Sequence, residues 1–338
     1  MCAHVAVNLA DCQLGGLLQH DVDGKPWWHV RVLRSVLSSA TSVPCIGQQL
    51  IPADAGEADT FRPFALWLHE QYGRFGYFDI IDVDAGFFSR ANWDYVDGEL
   101  QYGLIARLKG NQPDLYDVVK EELDALAKRS HPEAVTAWEP YQGKEIRRKL
   151  YRTDKLDGYA GWQHLRQVWL VAVETREAEV KLTKKQRREL GIDRIDYETT
   201  VDHRYYASNL TWKRLTAQQI LLCVRNHWAV ENDCYHSMDV QWGEDRPAWC
   251  SKGNALQVLG MLRILAYNPV SALRKRHVAA KPGTADREPK PLPWLDLWAS
   301  VREVLPRLWE PDQAPPLPIA QAGPRLPAPA RADQARGL

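Results

Sequence analysis

Three acidic residues far apart in the chain, Asp23, Asp84 and Glu231, are of the type and setting that hold divalent metal ions. Glu231 stands in the stretch 224–245, VRNHWAVENDCYHSMDVQWGED, inside a predicted helix that is otherwise aromatic, basic and apolar. Helical spacing sets His227, Glu231 and Tyr235 on one stripe, with Trp228 and Cys234 flanking the acid. By itself such a carboxylate reads equally as a paired or solvated helix charge. Asp84 ends a short apolar run, YFDIIDVDAG (77–86), that predicts a buried strand. The carboxyl end of a strand in an open α/β sheet is where ligands bind. Asp23 closes the strand candidate LLQHDVD (17–23), where period two puts Asp21 on the same face. Taken alone, Asp23-Gly24 reads as a hairpin turn. Brought together, three carboxylates would hold a pair of Mg²⁺ ions about 3.5–4 Å apart, an arrangement that activates one oxygen and stabilises another during phosphoryl transfer.

Those acids need elements to position them. Residues 17–23, 28–39 and 44–51 predict an antiparallel meander of three strands. A helix is predicted over 59–72, with Phe61, Phe64, Ala65 and Leu68 at helical spacing and Asp59 or Thr60 as its cap. Ser89 is a plausible cap just after Asp84. The run YGLIARL (102–108) predicts a second strand leading into Lys109-Gly110-Asn111-Gln112, and a helix begins near Pro113. Lys109 therefore falls at the same sheet edge as Asp84. Residues 136–211 change character, with strand-like QVWLVAVET (167–175) and DHRYYASNL (202–210) around a basic run, and read as a β-rich insertion. The helical period returns after the cap Thr216, carries Glu231, and resumes over roughly 251–276. This order predicts an α/β, RNase H-like fold, a mixed sheet flanked by helices in which Asp23, Asp84 and Glu231 meet at one edge.

At 338 residues the chain can bury a sizeable core, and with Lys plus Arg and Asp plus Glu both at 43 its formal net charge is zero. Any basic surface must therefore be local, and runs at 144–152, 181–188 and 272–277 supply candidates, each of which also reads as a solvated face. Six cysteines without a CxxC pair predict reduced thiols and no zinc site. The sequence has no signal peptide and no run of eighteen apolar residues, so a cytoplasmic protein with no membrane span is expected. Beyond His277 the composition turns to Pro, Ala and charge, with LPWLDLWASVREVLPRLW (292–309) as an amphipathic segment and a disordered Pro-rich tail after it.

Several blocks then resemble a known family: DVDAGFFSRAN (82–92) with RLKGNQPDLY (107–116), HRYYASNL (203–210), VRNHWAVENDCYHSMDVQWGEDR (224–246) and NALQVLGMLRILAYN (254–268). They are similar to the DDE transposases of bacterial insertion sequences, in the branch with an insertion inside the RNase H-like core. The resemblance spans about residues 20–277. It implies that Asp23, Asp84 and Glu231 bind Mg²⁺, with Mn²⁺ as substitute, and catalyse strand cleavage and strand transfer. For the first position Asp21 is the rival of Asp23, which is favoured because family members carry Asp-Gly followed by Lys or Thr there. DNA contacts are implied for Lys109, Asn111, Arg225, His227, Trp228 and Asn232, with Lys184, Lys185, Arg187 and Arg188 as a clamp in the insertion. Core packing is the competing reading of Trp228 and Tyr235. Transposon ends and target DNA are the implied partners, and synapsis of two ends implies a homodimer.

Two departures from the family stand out. Wider relatives carry Tyr, Arg and Lys around the Glu, where this chain has Val224, His227 and Met238. Relatives also have a substantial region before the first Asp, which sits close to the start here. A truncated, catalytically silent remnant that only binds DNA is therefore the alternative, and a metal-dependent repair nuclease a third reading. The expected division is 1–135 and 213–277 for the core, 136–212 for the insertion, and 278–338 for linker and tail.

Overall fold

The computed structural model describes residues 2–7, 18–22, 25–38, 43–52, 54–178, 197–244 and 253–276. Asp23, the run 181–188 with Lys184, Lys185, Arg187 and Arg188, and everything after 276 lie outside the described residues. The chain divides into two units, 1–273 and 274–338. Both sheets lie in the first.

In chain order, β1 (Cys2–Val7), β2 (Leu18–Val22), β3 (Lys25–Val36) and β4 (Cys45–Ile51) precede α1 (Glu57–Gln71). Next come β5 (Ile80–Val83), the short α2 (Arg90–Asp94), β6 (Gly103–Leu108) and α3 (Pro113–Arg129). The strands β7 (Ala134–Val135), β8 (Glu139–Tyr141), β9 (Lys144–Thr153), β10 (Gln167–Ala178) and β11 (Tyr197–Ser208) follow. Then come α4 (Ala217–His227), a π-helical segment (Val230–Tyr235), α5 (His236–Val240) and α6 (Gly253–Arg276).

A seven-stranded mixed sheet flanked by helices carries the site. β5 runs parallel to β6, then β11, β10, β9 and β7 follow antiparallel, with β8 also on β9. The strands expected of the insertion therefore continue the sheet that begins with β5 and β6. Alternation sorts their side chains onto two faces. One presents Leu104, Ala106, Leu170, Tyr205 and Ala207 to a core that includes Leu115, Val119 and Leu123 of α3. The other presents Ile105, Leu150, Trp169, Val171 and Tyr206 to Ile220, Leu221 and Val224 of α4. In both helices the buried residues recur at three- and four-residue spacing, which is why each buries a single stripe.

The first strands depart from expectation. Instead of joining the sheet of β5, they form a four-stranded sheet of their own around β3. β1 pairs with residues 28–33 of β3, while β2 and β4 pair with 25–29 and 31–36. Because those ranges overlap, β1 must occupy one edge of β3 and the other two strands the opposite edge. Both edges being filled, β3 has none to offer β5, whose partner among the described residues is β6 alone. The small sheet instead docks by its side chains, with Leu33 and Ile51 entering the core that holds Phe61, Phe64 and Val83.

Two smaller points concern helices. α1 begins at Glu57, earlier than expected, because the Asp59 carboxylate accepts the Gly56 N–H at 2.8 Å and so closes the first turn from within. Among the described residues, Ala255–Leu273 of α6 is long and apolar enough by length and composition to cross a membrane, although Arg263 interrupts its apolar run. One face of it is docked on the small sheet: Asn268 both donates to the Cys45 carbonyl and accepts from its N–H at 2.8 Å, and Tyr267 is buried.

Candidate active site

Asp84 is placed by two sequence blocks that hold each other. It follows β5 in extended conformation and opens a turn in which its carbonyl accepts the Phe87 N–H at 3.1 Å. The Asn111 amide donates to the Ala85 carbonyl at 2.6 Å and that of Gln112 to the Phe88 carbonyl at 3.2 Å. Ser89 caps α2 as expected. The Lys-Gly-Asn-Gln turn after β6 is thus a clamp on the Asp-Ala-Gly turn after β5. Asn111, expected on DNA, spends its amide on this clamp. Lys109 reaches back to within 3.4 Å of the Asp84 carboxylate.

Glu231 does not lie on a continuous α-helix. The capping box of Thr216 and Gln219 starts α4 as expected, but α4 ends at His227 and a π-turn follows, with the His236 N–H bonded to the Glu231 carbonyl. The extra residue per turn rotates what comes after it, so the stripe His227–Glu231–Tyr235 is broken. Tyr235 is buried and its hydroxyl turns to the Val32 carbonyl at 3.4 Å. Glu231 and His227 instead line a cavity of about 450 Å³ together with Asp82 and Asp84.

Asp82 is the residue that sequence reasoning passed over. It shares the parity of Asp84 on β5, pointing to the α4 face, and its carboxylate lies 3.0 Å from His227 Nδ1. The Asp82 side chain is 23% exposed and His227 only 7%. Burial pushes the Asp82 carboxyl up, only partly offset by His227. Burial opposes charge on His227 as well, yet Asp82, helped by Asp84 and Glu231, raises the imidazole above its ordinary value. For Asp84, burial is outweighed by the Ala85 N–H, Lys109 and His227, and the carboxyl stays below its usual range. Glu231 is raised by burial, with Asp84 adding repulsion. The period-two spacing of Asp82 and Asp84 on β5 was the available signal.

These oxygens suit a hard divalent cation, since Asp84 and Glu231 repel one another in one cavity and carboxylates are the ligands Mg²⁺ takes. Among the described residues no cluster of three or more His, Cys, Asp or Glu is arranged to hold a metal. Asp82 is turned to His227, and Asp23 is outside that set.

The other blocks are structural. Asn209 accepts the Leu104 N–H at 2.6 Å, and Ser208 donates to the Leu104 carbonyl at 2.8 Å, which locks β11 to β6. Glu244 is buried and bound to Arg34 of β3, whose guanidinium also donates to Gln48 at 3.0 and 3.2 Å. The acid downstream of Glu231 thus ties the end of the helical block to the small sheet. An arginine inside the apolar alternation of β3 was the only hint. Asn232 is exposed, Arg225 is exposed beside Glu139, and Trp228 is half-buried.

A family described as Transposase DDE domain matches residues 19–268. The chain belongs to this family of DDE transposases. The match takes in both sheets from β2 onward, Asp84, Glu231 and most of α6. The chain is also similar to "Putative protein YbfL" of Escherichia coli (strain K12), at 29% identity over 166 residues. That similarity covers 48% of this chain and 39% of the relative, so the chain spans well under half the length of that protein. Transposases of this family act on DNA and generally use divalent metal ions, and a cavity of this DDE domain lined by Asp82, Asp84 and Glu231 is consistent with that class of chemistry.

Proposed function

We propose that the protein cleaves DNA strands at the ends of an insertion sequence and transfers them to target DNA, with Asp84, Glu231 and Asp23 as the catalytic, metal-holding residues. The observation that carries this reading is that Asp84 and Glu231, from opposite ends of the family match, line one cavity beside Lys109. Mg²⁺, or Mn²⁺ in its place, would activate the attacking oxygen and stabilise the leaving one. The chain's own residues supply position. Asn111 and Gln112 keep the turn bearing Asp84 fixed, Asp82 orients His227 between the two carboxylates, and Lys109 offers a charge for a phosphate. Arg225, Trp228 and Asn232 line the approach, with Lys184, Lys185, Arg187 and Arg188 as the clamp, and two copies would synapse two ends. In this reading 1–135 and 213–277 supply the catalytic core, and 136–212 is the insertion that carries the clamp.

The test is Mg²⁺-dependent cleavage of a supercoiled plasmid carrying the element's ends. Nicked or linear product should form with the wild type and vanish in both Asp84→Asn and Glu231→Gln. Cleavage that survives either substitution would sink the assignment. A wild type that binds the plasmid without cutting it would instead identify a silent DNA-binding form.

A further inference from the structure

Away from Asp82 and Asp84, the face of the seven-stranded sheet under α4 gathers four arginines from β6, β9, β11 and α4 against two carboxylates. Tyr206 of β11 pairs with Arg107 of β6, and Arg204 stands two residues earlier on the same face. Arg148 faces the same way, opposite Val173 on β10. Arg225 joins them at the end of α4. Trp228 lies between strands and helix, with the Arg107 and Arg204 guanidinium carbons 5.5 and 5.4 Å from its ring centre. Against these four arginines stand Glu139, 3.4 Å from Arg148 and 3.5 Å from Arg225, and Asp202, 2.7 Å from Arg204. Among the described residues Arg107 makes no ion pair. Burial lowers the Arg148 pKa, and repulsion from Arg225 and Arg204 lowers it further despite Glu139.

The cluster adjoins the candidate active site. Val83 pairs with Ala106, so Asp84 and Arg107 follow one another across the same parallel pair, and Trp228 is next to His227 in the chain. We infer that Arg107, Arg148, Arg204 and Arg225, stiffened by Trp228, form a track for the phosphate backbone of a DNA duplex leading to Asp84 and Glu231. The inference rests on the DNA-processing reading above and adds the route by which the substrate arrives. Trp228 acts here as a brace that holds two guanidiniums apart, so the contact is independent of sequence. Arginine suits the task because its fork stays charged and meets phosphate through paired donors.

The experiment is fluorescence anisotropy of a labelled 30-bp duplex with the full chain, in EDTA so that chemistry plays no part, across a series of salt concentrations. Arg107→Gln and Arg204→Gln should each weaken binding and lower the slope of log K against log salt by about 1, the loss of one phosphate contact. Arg107→Lys, which keeps the charge, should restore the slope. Arg225→Gln, at an exposed position, repeats the test where folding is not at issue, and Lys149→Gln on the opposite face should change nothing. Wild-type binding with unaltered slopes in Arg107→Gln, Arg204→Gln and Arg225→Gln overturns the track while leaving the DNA reading intact. The same holds if Lys149→Gln has an equal effect. A wild type with no salt-dependent DNA binding overturns both.

Discussion

The two faces of the seven-stranded sheet are built from the same strands, yet they treat charge differently. On the α3 face, Glu174 accepts from both Arg147 and Lys149, and Arg176 is 2.8 Å from Glu145. Trp138 lies under Arg147 and Arg176 at 4.5 and 4.1 Å. On the α4 face, Arg152 and Arg204 each have a carboxylate at 2.7 Å, but Arg148 and Arg225 share Glu139 at longer range, Arg107 has no ion pair among the described residues, and Asp82 and Asp84 turn to His227 and Lys109. The difference teaches that a net charge of zero conceals a closed face and an open one. Cations hydrogen-bonded to a shared carboxylate hold strands together, and cations left short of one can take a phosphate.

The contrast can be broken most sharply at Asp82. Asp82→Ala removes the group that orients His227, and metal-dependent cleavage should fall by about 10- to 100-fold, as losses beyond the ligands themselves do. Asp82→Asn, which keeps an acceptor, should lose less, and melting curves should confirm that the variants fold. If both cut at the wild-type rate, His227 has no need of its partner. On the other face, Glu174→Gln should act on stability alone. Losing the centre of a partly buried ion triplet should cost about 1–2 kcal/mol, or roughly 2–4 °C in melting temperature, with cleavage and DNA affinity unchanged.

Between the faces sits the clamp. Asn111→Ala loses one hydrogen bond to Ala85, worth about 1 kcal/mol, and should lower cleavage several-fold through a looser Asp84 with little change in duplex binding. An equal loss of binding would return Asn111 to the DNA contacts. The smallest effect expected is on pH dependence. Burial works against the Glu174 carboxylate, but Lys149 and Arg147 outweigh it and hold its pKa below the ordinary value. The folded state thus favours the ionised form. That stabilisation is fully present above the unfolded pKa and is lost as pH falls through the depressed folded pKa. The wild-type melting temperature should therefore drop more steeply in the acid range than that of Glu174→Gln. Parallel curves would show that Glu174 contributes nothing through its charge.

Much of the site was legible because its signals are local. Thr216 with Gln219, Ser89, and the run ending in Asp84 each specify their own turn or strand within a few residues, and the structure places them where the sequence led. The sequence blocks that identify the family are likewise contiguous. What escaped depended on residues distant in the chain. No periodicity announces that β3 fills both its edges and so cannot lie beside β5, or that Glu244 ends in a buried pair with Arg34. A helical wheel assumes a constant turn, and the π-turn that moves Glu231 off the line of Tyr235 violates that assumption.

By itself the sequence determined the family, the strand that delivers Asp84, the helix that leads toward Glu231, and the clamp blocks on either side of β6. Local propensity, capping and apolar spacing suffice for those elements, and the resemblance of contiguous blocks for the family. Only the tertiary structure decided that Asp82 meets His227, and that arginines from β6, β9, β11 and α4 gather on the side of the sheet where Trp228 lies. Strand register is set by side-chain packing across the whole sheet, and a shift of one residue in β6, β9 or β11 would have sent that strand's arginine to the other face.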